Sequence, residues 1–386
     1  MTLHIFNPDN DMALAAFLPG FTPPANIRQM VDELFAFPRA WARKEDVYAV
    51  FNTQSGQAFL YDPTSATRRP INHYSELSTL LPEGETLDIR PWGWSPALCH
   101  SLTKFGIPPQ MLPDKEQLAA IRRLSSRQSA VDMLQTIVHD LGADHPLIGR
   151  SRMCHTTDEV IDAMSLWPQT ILKAPWSSSG KGIRYGQRGR EDTLAGWVQR
   201  TLRQQGGVVV EPLYNKVYDL AMEFHSDGNR TITYEGLSLF TTHDTGAYRG
   251  NLVASERSKE EWLMRHIPRP TFEAVKAWLI THLAPLVGHH YRGYLGVDML
   301  LAANDKPSTT EPSLMLHPLV EINLRTTMGM VSVLMARRGP TFEGELILEY
   351  APSQPLPEDA ILLAGGNHYR CLLLAKQTAS RPIVIQ

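Results

Sequence analysis

Apolar positions along the chain alternate between two periods. Leu3-His4-Ile5-Phe6 is a short, mostly apolar run of strand length. Asn7-Pro8-Asp9-Asn10-Asp11 breaks it, and Met12-Ala13-Leu14-Ala15-Ala16 starts a helix for which Asn10 or Asp11 is the expected N-cap. After a turn-rich connector from Pro19 to Pro24, residues 26–43 place Ile27, Met30, Val31, Leu34 and Phe35 at helical spacing. Residues 46–51 and 86–90 predict further strands. Strands alternating with helices predict an N-terminal α/β domain over residues 1–112.

Leu118, Ile121, Leu124, Val131, Leu134 and Val138 repeat at helical spacing through residues 115–142. A shorter helix over 158–164 takes Thr157 as N-cap. Thr170-Ile171-Leu172-Lys173-Ala174-Pro175 reads as a strand stopped by proline, followed by the loop Trp176 to Gly182 and a second strand from Ile183. A helix over about 191–204 ends at Gly206-Gly207, and Val208-Val209-Val210 is a buried strand running into Glu211-Pro212. These elements form a second domain, 113–211. The remainder, 212–386, reads as antiparallel strands near 219–225, 231–240, 294–302 and 316–325, with helices at 271–286 and 328–337.

Composition narrows the class. The 386 residues are 43% hydrophobic and 20% charged, as for a folded globular protein, and the net charge of −3 lacks the basic excess of a nucleic-acid binder. Cys99, Cys154 and Cys371 are widely spaced and odd in number, which fits a reducing compartment. The acidic N-terminus does not resemble a secretion signal, and no apolar run reaches the roughly 18–20 residues of a membrane helix. A cytoplasmic protein without a membrane partner is the expectation.

Ser177-Ser178-Ser179-Gly180-Lys181-Gly182 has the chemistry to fold over phosphate oxygens: small residues, hydroxyls, and Lys181 with Arg184 nearby for charge. It is not a P-loop, because Pro175 stands where the first glycine belongs and Gly182 where Ser/Thr belongs. Gly180, Gly182 and Gly186 are also spaced one residue too widely for a G-x-G-x-x-G loop. Alone, the segment reads equally well as a solvated hairpin loop. Lys173 shifts the balance, because a lysine after Ile171-Leu172 on an apolar strand needs an anionic partner.

The strand Val320-Glu321-Ile322-Asn323-Leu324-Arg325 turns Glu321, Asn323 and Arg325 to one face. Gly296, Asp298 and Leu300 alternate with Val297, Met299 and Leu301 in the same way. If the two strands pair, Asp298, Glu321 and Asn323 form an oxygen cluster suited to Mg²⁺, with Arg325 one strand repeat further. A solvent-facing polar side is the plainer reading of such alternation. Asparagine, however, is disfavoured in strands.

Together these segments resemble the ATP-grasp superfamily: Ile171-Leu172-Lys173, the loop Ser177 to Gly182, Val210-Glu211-Pro212, Gly296-Val297-Asp298 and Glu321-Ile322-Asn323-Leu324-Arg325 stand in the family's order across about residues 115–340. The resemblance implies an α/β fold with an N-terminal domain, a lid and a C-terminal antiparallel sheet. It implies that Lys173 and the Ser177, Ser178, Ser179, Gly180, Lys181 and Gly182 loop hold ATP phosphates. Glu211, Pro212 and Leu213 would meet the adenine, and Asp219 the ribose. Asp298, Glu321 and Asn323 would hold two Mg²⁺ ions. Arg249, in Ala247-Tyr248-Arg249-Gly250-Asn251, and Arg325 would face the transferring phosphoryl group. Arg127 stands where the family often has a lysine, and Leu324 replaces a frequent proline.

The implied activity is an ATP-dependent ligase acting on a small-molecule carboxylate and a nucleophile, with a homodimer as the assembly kept in view. A kinase-like phosphotransferase and a catalytically silent nucleotide-binding regulator are the alternatives. Three other features carry less. Asn7, Asp9, Asn10 and Asp11 could meet a substrate amine, though capping is the plainer role. His282, His289 and His290 lack a third metal partner at sensible spacing. Trp92 and Trp94 suit packing at a domain join better than a substrate pocket.

Overall fold

A computed structural model describes residues 1–43, 46–51, 58–62, 67–79, 81, 85–177, 180, 182–243, 246–304, 313–350, 352 and 355–375. The chain divides into two compact units, both discontinuous in sequence. Among the described residues the first comprises Met1–Arg122, Arg249–Ser255 and 325–375, and the second Arg123–Tyr248 and Glu256–Leu324.

The first unit contains a five-stranded sheet in the order Thr67–Ile71, Ala58–Asp62, Val47–Phe51, Thr2–Ile5, Asp88–Pro91. Thr2–Ile5 runs parallel to both neighbours. Its run is mostly apolar because a central parallel strand is covered on both faces. Phe6, Phe37 and Trp92 join a buried core in which Phe6 meets Phe37 edge-on at 5.7 Å and Trp92 at 5.2 Å. The outer hairpin, Ala58–Asp62 with Thr67–Ile71, was not anticipated. Its edge strand, Thr67-Arg68-Arg69-Pro70-Ile71, lacks apolar alternation, and Pro70 is tolerated there because an edge strand has N–H groups to spare.

Two expected boundaries move. The first helix is Asn10–Ala16, and its N-cap is Asp9 without a side-chain cap bond, not Asn10 or Asp11. The 26–43 helix is only Ala25–Leu34, followed by a 3₁₀ turn at Phe37–Ala40, because Pro38 cannot continue the α-helical hydrogen bonding. Also in this unit, residues 250–253 pair with Gly344–Tyr350, that strand with Tyr369–Ala375, and the last with Ala360–Gly365, all antiparallel.

The second unit holds two antiparallel sheets. One runs Arg152–Cys154, Val208–Pro212, Gln169–Lys173, Ile183–Gln187. Its inner face buries Leu172, Val208 and Val210 against Val160, Met164 and Val198. The helix behind it is Thr157–Ser165, capped by Thr156 rather than Thr157: the Thr156 hydroxyl accepts from the Glu159 N–H at 3.2 Å. The other sheet pairs Leu314–Asn323 with Arg292–Ala303, that strand with Lys216–Asp227, and the last with Ile232–Thr242. Helix Arg269–Val287 covers its apolar side with Phe272, Val275, Leu279 and Leu283. No helix among the described residues is long and apolar enough to cross a membrane.

Candidate nucleotide and metal site

The lysine that was out of place on an apolar strand has found its anion. Ile171 pairs with Glu211 and Lys173 with Val209, so Lys173 and Glu211 are diagonal neighbours on one sheet face. Their Nζ and Oε2 atoms lie 2.6 Å apart, and both side chains are buried. Leu213 continues the strand's pairing, donating its N–H to the Gln169 carbonyl at 3.0 Å. Near this pair lies His317, fully buried in the same unit, whose ring meets Tyr214 edge-on at 5.6 Å. Burial pushes its imidazole down to about 3, and the Lys173 charge adds to the shift. His317 is therefore neutral at ordinary pH.

Ser177, Gly180 and Gly182 shape the loop, while Ser178, Ser179 and Lys181 lie outside the described residues. Gly180 has φ +73°, a left-handed turn, and its carbonyl accepts from the Ile183 N–H at 3.2 Å. At Gly182 a Cβ would fall 2.3 Å from the Ser177 side chain, so only glycine fits. Arg127 ties this loop to the second sheet. Its Nη1 donates to the Ala174 carbonyl at 2.5 Å and to Ser177 Oγ at 2.8 Å, and its Nη2 donates to Glu321 Oε2 at 2.7 Å. The guanidinium fork makes these contacts at once, which a lysine in its place could not.

The predicted pairing of the acidic strands is present. Asp298 stands opposite Glu321 and Gly296 opposite Asn323, so the three oxygen-bearing side chains share a face. Asn323 Nδ2 donates to Asp298 Oδ2 at 3.0 Å. Two carboxylates and an amide are hard donors that fit Mg²⁺ with water and phosphate completing its shell. Among the described residues no three His, Cys, Asp or Glu side chains converge into a metal-holding group, so such an ion would depend on that completion. Asp219 lies on the neighbouring strand, where its Oδ2 accepts from Lys216 Nζ at 2.5 Å and Thr242 Oγ1 at 3.0 Å. Glu223, missed by the sequence reading, lies four residues beyond Asp219 on the same strand and face. The even spacing from Asp219 was the signal that could have found it.

Arg325 departs from expectation. The strand ends at Asn323, so Arg325 does not continue its alternation. In the first unit it donates from Nε to Asp11 Oδ1 at 2.9 Å, and Thr326 donates its N–H to the Trp92 carbonyl at 2.8 Å. The segment at 325–326 thus leaves the ladder for partners at Asp11 and Trp92. The neighbouring Asp9 carboxyl is pushed up to about 6 by burial, reinforced by Asp11. Arg249 is exposed; burial raises the Glu345 carboxyl, and the Arg249 charge offsets only part of that. Trp92 and Trp94 are buried in the first unit. His282 stacks on Trp278 at 3.7 Å, and His289 Nδ1 lies 3.2 Å from the Gly228 carbonyl.

The fold is similar to those of several solved structures. A biotin carboxylase from Campylobacter jejuni, solved as a β-γ-ATP complex, superposes with TM-score 0.50 at 10% identity, over 97% of this chain and 87% of that one. An N5-carboxyaminoimidazole synthetase from Staphylococcus aureus, complexed with ADP, gives 0.49 at 12% identity over 97% and 93%. A phosphoribosylamine–glycine ligase from Thermotoga maritima gives 0.46 at 16% identity over 96% and 92%. No family model and no curated protein matches the chain. The chain has the ATP-grasp fold.

Proposed function

We propose that this protein is an ATP-dependent ligase that activates a small-molecule carboxylate as an acyl phosphate for attack by an amine or other nucleophile. The observation that carries the reading is the strand register that puts Asp298, Glu321 and Asn323 on one face, with Arg127 joining Glu321 to Ser177. A hard-cation face tied to a Ser/Gly loop is what the grip on a triphosphate requires.

Lys173, Arg127 and the loop through Ser177, Ser178, Ser179, Gly180, Lys181 and Gly182 would hold phosphate oxygens. Glu211, Pro212 and Leu213 would take the base, largely through backbone groups, and Asp219 the ribose hydroxyls. Asp298, Glu321 and Asn323 would hold two Mg²⁺ ions. When bound, the ions neutralise charge on the phosphoryl oxygens. Arg249 and Arg325 are the proposed cations for the transferring group. The substrate carboxylate oxygen bonds to the γ-phosphorus and the bond to the ADP oxygen breaks. The amine nitrogen then bonds to the acyl carbon, phosphate leaves, and the amine gives up a proton. Side chains contribute position and charge rather than covalent chemistry.

The test is ADP release with Mg²⁺ across a panel of carboxylic acids, with and without amines. ADP that needs both acid and amine supports ligation. ADP with a stable phosphorylated acceptor reassigns the protein as a phosphotransferase. Normal turnover by Glu321→Ala overturns the metal assignment, and failure to bind ATP overturns the whole reading.

A further inference from the structure

Glu223 has no role in the scheme above, yet it is 1% exposed in the middle of Lys216–Asp227. Residues directly opposite in an antiparallel ladder project from the same face. One row across the sheet runs Asn323, Gly296, Glu223, Gly236, and the next runs Glu321, Asp298, Ala221, Ser238. Glu223 therefore shares the face of the proposed metal residues, and both of its cross-strand neighbours are glycines. Adjacent strands lie about 4.8 Å apart, so the Glu223 and Asn323 backbones are separated by roughly 10 Å with no side chain between them. A glutamate and an asparagine side chain reaching toward each other span that distance with one hydrogen bond of about 2.9 Å.

We propose that Glu223 is a positioning residue that orients the Asn323 carboxamide for Mg²⁺, an inference that rests on the metal assignment under the proposed function. An amide nitrogen carries two hydrogens. Asp298 Oδ2 accepts one from Asn323 Nδ2, and Glu223, across Gly296, is placed to accept the other. Nδ2 held between two carboxylates leaves Oδ1 as the outward atom, a hard oxygen donor. The reverse amide orientation would set Oδ1 against two anionic groups. A carboxylate buried this deeply requires hydrogen-bond donors, and an amide supplies them where another acid would not. In this scheme Glu223 acts through Asn323 and is not itself a ligand.

The experiment is Mn²⁺ binding to the full chain, read by electron paramagnetic resonance without nucleotide, with melting temperature as the folding control. Glu223→Leu keeps the bulk and removes the acceptor; Glu223→Gln keeps an acceptor oxygen; Gly296→Ala leaves both partners and puts a methyl group between them. Loss of a partner that orients a metal ligand typically weakens metal binding about 10–100-fold. That weakening is expected for Glu223→Leu and Gly296→Ala, with near wild-type binding for Glu223→Gln. Equal Mn²⁺ affinity in wild type and Glu223→Leu overturns the inference, as does a Gln variant as weak as the Leu variant. If Glu223→Leu does not fold, Gly296→Ala decides: wild-type Mn²⁺ affinity in it also overturns the inference. Absence of Mn²⁺ binding in wild type overturns the metal assignment along with it. Mn²⁺ binding without any ATP binding leaves Glu223 in place and removes the ligase reading alone.

Discussion

The two sheets of the second unit handle charge in opposite ways. On the first sheet Lys173 and Glu211 neutralise each other in a buried pair 2.6 Å apart, beside a neutral His317. On the second, carboxylates gather. Arg127 answers Glu321, Lys216 answers Asp219, and Asp298 accepts from the Asn323 amide. A buried pair is electrostatically complete and costly to break, whereas a crowded acidic face gains from an added cation. One region is neutralised within the chain; the other is the face proposed to take a cation.

The largest effect should come from breaking the complete region. Lys173→Met leaves Glu211 buried and unpaired, and a loss of about 3–5 kcal/mol is expected from denaturant unfolding without nucleotide. Replacing both, as Lys173→Met with Glu211→Leu, should recover much of that loss. Next is Arg127→Ala, which removes hydrogen bonds to Glu321, Ser177 and Ala174. About 2–3 kcal/mol is expected, and Arg127→Lys should not restore it, because lysine lacks the fork.

Acid probes the surroundings of Lys173 through His317, which stands on the second sheet's strand Leu314–Asn323. Its folded value of about 3 lies below the ordinary 6.5, so the unfolded chain binds the extra proton. Its contribution is full above pH 6.5 and is lost as pH falls toward 3, reaching on the order of 2 kcal/mol by pH 5. Asp9, raised from 3.8 to about 6, acts in the opposite sense: its contribution is present below 3.8 and lost as pH rises through 6. The two slopes partly cancel in the wild type. The pH profile of wild type minus His317→Phe isolates the histidine, and a flat difference between pH 4 and 7 would contradict its neutral burial.

The smallest effect should have the opposite sign. Asp298→Asn relieves crowding among carboxylates and should raise metal-free stability by under about 1 kcal/mol. It should also abolish any rise in melting temperature on adding Mg²⁺. A substitution that stabilises one sheet's face while a similar loss of charge unfolds the other would make the contrast direct.

Sequence pattern revealed what depends on strand alternation. The Glu-x-Asn-x face, its partner Asp298 and the buried lysine all followed from periods of two and from the cost of an unpaired charge. Contacts set by chain direction were hidden. Arg325 continued the alternation on paper, but the ladder stops at Asn323 and the guanidinium meets Asp11, 314 residues away. The hairpin at Ala58–Asp62 and Thr67–Ile71 lacked apolar periodicity because its outer strand is an edge. Helix caps shifted by one residue at Thr156, where two adjacent threonines offered equal chemistry. The even spacing from Asp219 could mark Glu223 as sharing its face, but its two glycine neighbours needed the register.

The Asp298 and Glu321 face is proposed to complete its charge with the metal of a bound nucleotide. Calorimetric titration of ATP in Mg²⁺ and in chelator, for wild type and Glu321→Gln, tests it most directly. Wild type should bind tightly only with Mg²⁺, and the affinity of Glu321→Gln should barely change between the two conditions. Equal wild-type affinity with and without Mg²⁺, or an undiminished Mg²⁺ effect in Glu321→Gln, would contradict it.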